Sequence, residues 1–116
     1  MIILIDDERN FIEPTDDTVV LRNSTEALNF LKNLPTGTII DQIWFDHDLG
    51  IVNGEKDTTI PVLDFLEECF YFENQTFHVN EIIVHTANPI GGTKIYNTMK
   101  RYIKTTRVNC TDYLKA

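Results

Sequence analysis

Cysteine is scarce in this sequence, and the two that occur, Cys69 and Cys110, stand far apart with no CxxC partner. That arrangement predicts two reduced thiols in or near a core rather than a disulfide or a zinc site. Long apolar runs are also missing. No stretch reaches the roughly 18 residues that would cross a bilayer. Asp6, Asp7 and Glu8 interrupt the amino terminus almost at once, so neither a membrane span nor a secretory signal is read. The expected location is the cytoplasm, without a membrane partner. Serine occurs only at Ser24 and no Gly-x-Ser-x-Gly is present, which excludes that type of acyl-transfer triad. Gly91-Gly92-Thr93-Lys94 lacks the spaced glycine and the Gly-Lys-Ser/Thr order of a Walker phosphate loop. A two-histidine phosphoesterase needs His-x-Thr twice, whereas this chain has His47-Asp48-Leu49 and His85-Thr86-Ala87.

Basic residues are few. Eighteen acids face ten lysines and arginines, a formal charge of −8 that repels a long polyanion unless a basic patch stands apart. The charge is uneven: residues 1–93 balance at −13 and residues 94–116 at +5. A phosphate-bearing partner is therefore expected near the last quarter, and long duplex nucleic acid is not. The rest of the composition, 116 residues with 42% hydrophobic and 24% charged, describes one folded domain spanning residues 1–116.

Apolar runs that stop abruptly at acids or histidines organise the chain. MIILI reads as a strand buried on both faces, ended by Asp6-Asp7-Glu8. Thr18–Leu21 is a second strand, followed by a helix capped at Asn23, with Ala27, Leu28, Leu31 and Leu34 at helical spacing. Gln42–Phe45 forms a third strand and ends in FDHDLG; Asn53 and Gly54 belong to a loop running to Pro61, where a second helix starts. Glu81–Val84 is a fourth strand, ended by His85, Thr86 and Asn88. A glycine-containing turn then leads into a helix from about Thr93 to Lys104, and a last strand is expected within Arg107–Tyr113. Alternating strands and helices imply a parallel sheet with right-handed crossovers, in a three-layer α/β domain.

In such folds ligands bind at the carboxyl ends of the strands. If the first, third and fourth strands are neighbours, Asp6, Asp7, Asp46, Asp48, His47 and His85 converge. Several carboxylates in one crevice repel unless a cation joins them, and hard oxygen donors suit Mg²⁺ or Mn²⁺. Metal ligands are therefore expected among Asp6, Asp7, Asp46 and Asp48. The turn at residues 87–93 enters a helix whose free amides favour an anion, which makes Asn88, Gly91 and Gly92 candidates for holding a phosphate, with Thr86 and Lys94 beside them.

IDDE at 5–8, FDHDLG at 45–50 and VHTA at 84–87 resemble the receiver domains of two-component signalling, with a receiver-like (flavodoxin-like) five-stranded parallel sheet. By that likeness Asp6 and Asp7 would hold a metal, Asp46 would match the phosphoacceptor and Thr86 the hydroxyl residue. The chain departs from receivers at His85, where they carry an aliphatic residue. It also lacks a Lys-Pro closing the fifth strand, with Lys115 the only lysine in that segment, and has no room for a full last helix. DDE, FDHDLG and HTANPIGG together are similar to the cyclic-phosphate processing receiver domains. That resemblance implies a phosphoesterase acting on a cyclic phosphate, either an RNA 2′,3′-cyclic phosphate end or a small cyclic nucleotide. The chemistry needs water deprotonated, a leaving oxygen protonated and phosphoryl charge neutralised. His85 is the first choice for acid–base work and His47 the second, with Asp46 the third catalytic candidate. The competing readings are a binder of cyclic nucleotide that does not hydrolyse it, and a receiver signalling through Asp46. Oligomeric state is not legible.

Overall fold

The computed structural model describes all 116 residues. In chain order the elements are β1 (Ile2–Ile5), β2 (Asn10–Phe11), β3 (Thr18–Leu21), α1 (Ser24–Lys32), β4 (Ile39–Ile40), β5 (Gln42–Phe45), β6 (Asp48–Val52) and β7 (Glu55–Thr58). They continue with α2 (Ile60–Phe72), β8 (His78–Val79), β9 (Ile82–Val84), α3 (Pro89–Met99), β10 (Thr105–Arg107), a 3₁₀ turn (Cys110–Asp112) and β11 (Leu114–Lys115). Five strands form one parallel sheet in the order β10-β9-β5-β1-β3. This is the receiver-like, flavodoxin-like α/β architecture, with β1, β5 and β9 at the centre, as the strand-end reading required.

Alternation along the strands divides the sheet into two faces. Ile3, Ile5, Ile43, Phe45, Ile82 and Val84 point to one side and pack against Ala27 and Leu31 of α1, Val62, Leu63 and Leu66 of α2, and Ile95 and Met99 of α3. Leu4, Trp44 and Ile83 point to the other side. There no helix covers them, only Cys110, Leu114, Phe11 and Val108 from short pieces of chain. The third layer is therefore thin, made of a 3₁₀ turn and the antiparallel β2–β11 pair. Both cysteines are buried free thiols.

Local chemistry explains the boundaries. Asn23 caps α1 by accepting the Glu26 amide at 2.8 Å. Pro61 sits in the first turn of α2, where its missing N–H costs nothing.

Three elements differ from the sequence reading. Residues 48–58 are a β-hairpin, not a loop. Asn53 and Gly54 both take positive φ, 54° and 80°, the backbone of a tight turn whose twist matches paired strands. Helix α3 begins at Pro89 rather than Thr93 and ends at Met99, because the Asn88 side chain accepts the Gly91 amide at 2.9 Å and caps it. Gly91 and Gly92 lie inside the helix, so they are not a turn before it. The last sheet strand is Thr105–Arg107 instead of a segment within 107–113, which makes Arg107 the cation that closes it.

Candidate functional site

In the central sheet Ile5 lies opposite Phe45, and Phe45 opposite Val84. Pairing continues one residue further: the Asp46 amide donates to the Ile5 carbonyl at 3.0 Å and the His85 amide to the Phe45 carbonyl at 3.1 Å. Ile5, Phe45 and Val84 face the helices, so the next residue on each strand must face the helix-free side. Asp6, Asp46 and His85 therefore emerge side by side, and one ligand atom of each lies within 4.8 Å of the others. All three are buried.

Asp6 is the most fully bonded of them. Its Oδ1 accepts the amides of Glu8 (3.0 Å) and Arg9 (2.8 Å); its Oδ2 meets His85 Nε2 (3.1 Å) and Arg9 Nη1 (3.3 Å). Burial alone would raise this carboxyl, but the His85 bond and the two amides outweigh it and hold Asp6 well below the usual carboxylate range. An ionised carboxylate only accepts, so His85 Nε2 donates to it. That leaves His85 Nδ1 buried with no partner.

Sequence reasoning missed Arg9. Its Nη1 lies between the carboxylates, 3.3 Å from Asp6 and 3.7 Å from Asp46. Arg22 at the end of β3 holds this loop by donating to the carbonyls of Arg9 (2.6 Å) and Asp6 (3.2 Å). The only available signal was a cation three positions after the first acid of IDDER.

Above the buried trio opens a crevice of about 280 Å³, to which Asp7, Arg9, Asp46, Asp48, Thr86 and Asn88 all contribute. His85 lies beneath it with no exposed surface. Asp46 is raised above the ordinary carboxylate value by burial and by the Asp6 charge, against opposition from the Thr86 hydroxyl. Asp7 is raised too, by burial and the charges of Asp6 and Glu8. A larger cavity of about 420 Å³ lies around Phe11, Trp44 and Tyr113, but it contains neither histidine nor basic residue, and none of Asp6, Asp7, Asp46 and Asp48 lines it.

The other expected residues are placed as follows. His47 has the parity opposite to Asp46; its ring lies over Gly91, and its Nδ1 is 3.0 Å from Asp48 Oδ1. Asp48 is 63% exposed and also accepts from Asn88 Nδ2 at 3.1 Å. The His47 bond, followed by that of Asn88, lowers its carboxyl. Asn88 thus uses its amide for Asp48 and its carbonyl for capping α3, which takes the Gly91 amide out of anion binding. Gly91 and Gly92 are packing positions. A Cβ at 91 would stand 2.3 Å from His47 Cγ, and one at 92 would stand 2.7 Å from Arg107 Nη2. Lys94 is exposed on α3, outside the crevice.

The donor set can be tested against a hard divalent cation. Asp6 has its acceptor positions filled, and Asp48 is committed to His47 and Asn88. Asp7 accepts from no other residue's side chain or amide, whereas Asp46 accepts the His47 amide on Oδ1 at 2.9 Å and the Thr86 hydroxyl, with Arg9 Nη1 3.7 Å from Oδ2. Asp7, unpartnered and in the same crevice as Asp46, whose carboxylate keeps further lone pairs, gives hard oxygen donors that fit Mg²⁺ or Mn²⁺.

A family model described as cyclic-phosphate processing receiver domain matches residues 1–101, and the chain belongs to that family. Neither a curated protein nor a solved structure matches it. No helix is long and apolar enough to cross a membrane.

Proposed function

We propose that the crevice hydrolyses a cyclic phosphodiester to a phosphomonoester. The observation that carries this reading is Asp46: a carboxyl made more basic by burial, lining the crevice beside a guanidinium that can neutralise a phosphoryl oxygen. Arg9 spends only Nη1 on the carboxylates, which leaves its other donors for substrate. Asp46 takes a proton from water as the water oxygen bonds to phosphorus. The ring P–O bond then breaks, and the departing ribose oxygen takes up a proton. His47, oriented by Asp48 and less deeply enclosed than His85, supplies that proton. His85 acts through Asp6, holding the carboxylate that in turn pins Arg9. It is a positioning residue rather than the acid–base group, because it reaches no solvent. Mg²⁺ or Mn²⁺ held by Asp7 and Asp46 would add charge neutralisation at the phosphate and would lower the pKa of a bound water.

The test is a panel of 2′,3′-cyclic and 3′,5′-cyclic substrates, with and without Mg²⁺ or Mn²⁺, read by chromatography of the monoester. Turnover by the native chain and its loss in Asp46→Asn support the reading. Stoichiometric binding without product would make the protein a binder. Acetyl-phosphate labelling of Asp46 without hydrolysis would make it a signalling receiver.

A further inference from the structure

The cavity of about 420 Å³ on the helix-free face of the sheet is walled by aromatic rings and edged by acids. Trp44, 6% exposed, is the most deeply set of its lining residues. Phe11 and Tyr113 meet that indole at centroid distances of 5.0 and 5.3 Å, with planes crossing at 85° and 61°. Rings so crossed offer π surface from more than one direction, around a space of the size that takes a small molecule. Tyr113 is 47% exposed, so this wall is open to an incoming ligand.

Hydrogen bonding inside the cavity is one-sided. The Trp44 indole N–H donates to Gln42 Oε1 at 3.0 Å, and the Gln42 amide donates to Glu81 at 3.0 Å. The Thr15 hydroxyl is engaged by Asp17 and by Thr18. Glu13 and Asp112 remain, both exposed, and neither carboxylate has an ion pair or a hydrogen bond. No basic residue lines the space to offset them. Arg9, two residues before Phe11, turns instead to Asp6 and Asp46, and the amino terminus beside Ile2 is held by Asp17 and Asp41 at 3.3 and 2.7 Å. A ligand therefore finds ring faces and unneutralised acceptors. An anion is repelled there, and a neutral apolar molecule leaves the acids unused. A cation with an apolar body uses both, because ring faces attract positive charge and the carboxylates pair with it.

We propose that this cavity is a separate binding site for a small organic ammonium ion, held by Phe11, Trp44 and Tyr113 and oriented by Glu13 and Asp112. It shares no lining residue with the crevice above the buried trio, so it stands independently of the hydrolytic reading.

Trp44 is the only tryptophan, and its emission reports on the cavity directly. The native chain is titrated with benzyltrimethylammonium, with benzyl alcohol as a neutral counterpart and phenylacetate as an anionic one, while NMR follows the indole N–H and the backbone amides. The ammonium ion is expected to change Trp44 emission saturably and to shift the indole N–H and the amides of Phe11, Glu13 and Tyr113. It should bind about tenfold more tightly than either counterpart, the factor that a cation–π contact and two exposed ion pairs bring together. Glu13→Gln combined with Asp112→Asn is expected to remove most of that preference with the circular dichroism spectrum unchanged, since both side chains are exposed. Tyr113→Leu, which keeps an apolar wall and removes the ring, should weaken the ammonium ion by roughly threefold and spare benzyl alcohol. Absence of a saturable response overturns the proposal, as does equal binding of the three probes or an unchanged preference in the double variant. Shifts clustered at Thr86 and Asn88 overturn it as well, by placing the cation in the other acidic crevice.

Discussion

His85 Nε2 donates to Asp6 Oδ2 at 3.1 Å, and both side chains are completely buried although β5 separates their strands. The bond couples the two sides of the central sheet at the level of the crevice floor. Removing the imidazole leaves a buried charge short of a partner and opens a cavity below Arg9. His85→Ala is expected to cost about 3 kcal/mol, the loss typical of breaking a buried ionic pair from one side. Urea unfolding measures it. Stability equal to that of the native chain would show that Asp6 finds another donor. Loss of turnover in this variant reports on the fold as well as on chemistry.

Asp46 should behave oppositely. Its pKa in the folded chain is raised by burial first and by the Asp6 charge. A raised carboxyl contributes stability that is fully present below its unfolded value and is lost as pH climbs through the folded value, so at neutral pH its charge opposes folding. Asp46→Asn should therefore raise the melting temperature at pH 7 in the presence of a chelator, by about 4 °C, the shift that 1 kcal/mol brings in a domain of this size. The gain should shrink as pH falls through the raised folded value of the native carboxyl and be gone below the ordinary carboxylate range, where both states are protonated. A lower melting temperature at pH 7 would contradict the sign.

The parity of β-strands made the cluster legible before any coordinates. Asp6, Asp46 and His85 each follow an apolar run by one residue, and parallel neighbours in register must then present them together. Arg9 was not legible, because its inward turn depends on Asp6 accepting the Glu8 and Arg9 amides and on Arg22 clamping the loop from β3. His85 is the first acid–base choice from the sequence and His47 the second; periodicity gives a side but not a depth, and the structure buries His85 completely while leaving the His47 side chain partly exposed. The hairpin at 48–58 carried an Asn-Gly signal, yet its strands DLGIV and EKDT lack alternation because both faces are largely open to solvent, Leu49 alone being buried, and Gly50 makes room for Asp7. Two adjacent glycines obscured the start of α3, where packing on His47 and Arg107 overrides helix propensity. Strand β10 is TTR, three residues without an apolar run, and its position depends on pairing with β9.

Gly91 supports the second histidine. An alanine there gains helix propensity, but its methyl would stand 2.3 Å from His47 Cγ and 2.5 Å from Cδ2, so the ring must leave. Overpacking of this kind costs about 1–3 kcal/mol against about 1 kcal/mol of propensity. Gly91→Ala is expected to be destabilising on balance and to move the His47 ring resonances in NMR spectra. An unshifted ring would mean that the helix yields instead.

Asp57 ties the hairpin to α1. Its carboxylate accepts from the Ser24 amide at 2.8 Å and the Ser24 hydroxyl at 2.6 Å. Asp57→Ala is expected to cost about 1 kcal/mol, as the loss of a helix-end acceptor does. It should also speed hydrogen exchange in β6 and β7, which thermal stability alone would not reveal. Unchanged exchange there would mean that the hairpin holds without α1.

Asp7 makes the strongest test of the cation. Its carboxyl is raised by burial and by Asp6 and Glu8, and Gly50 is held against it so closely that a Cβ would meet Asp7 Oδ2 at 2.8 Å. A divalent ion relieves the same repulsion that raises the carboxyl, so ion and proton compete for one group. Mn²⁺ affinity should therefore rise with pH through the raised Asp7 value before levelling off. Asp7→Asn should weaken binding by about tenfold or more, the loss of roughly 1.4 kcal/mol from one anionic ligand. Asp48→Asn should change it less, because that carboxylate is already bonded to His47 and Asn88. Calorimetric titration with Mn²⁺ reads all three, and a larger effect at Asp48 than at Asp7 would move the cation away from the floor of the crevice to its exposed rim.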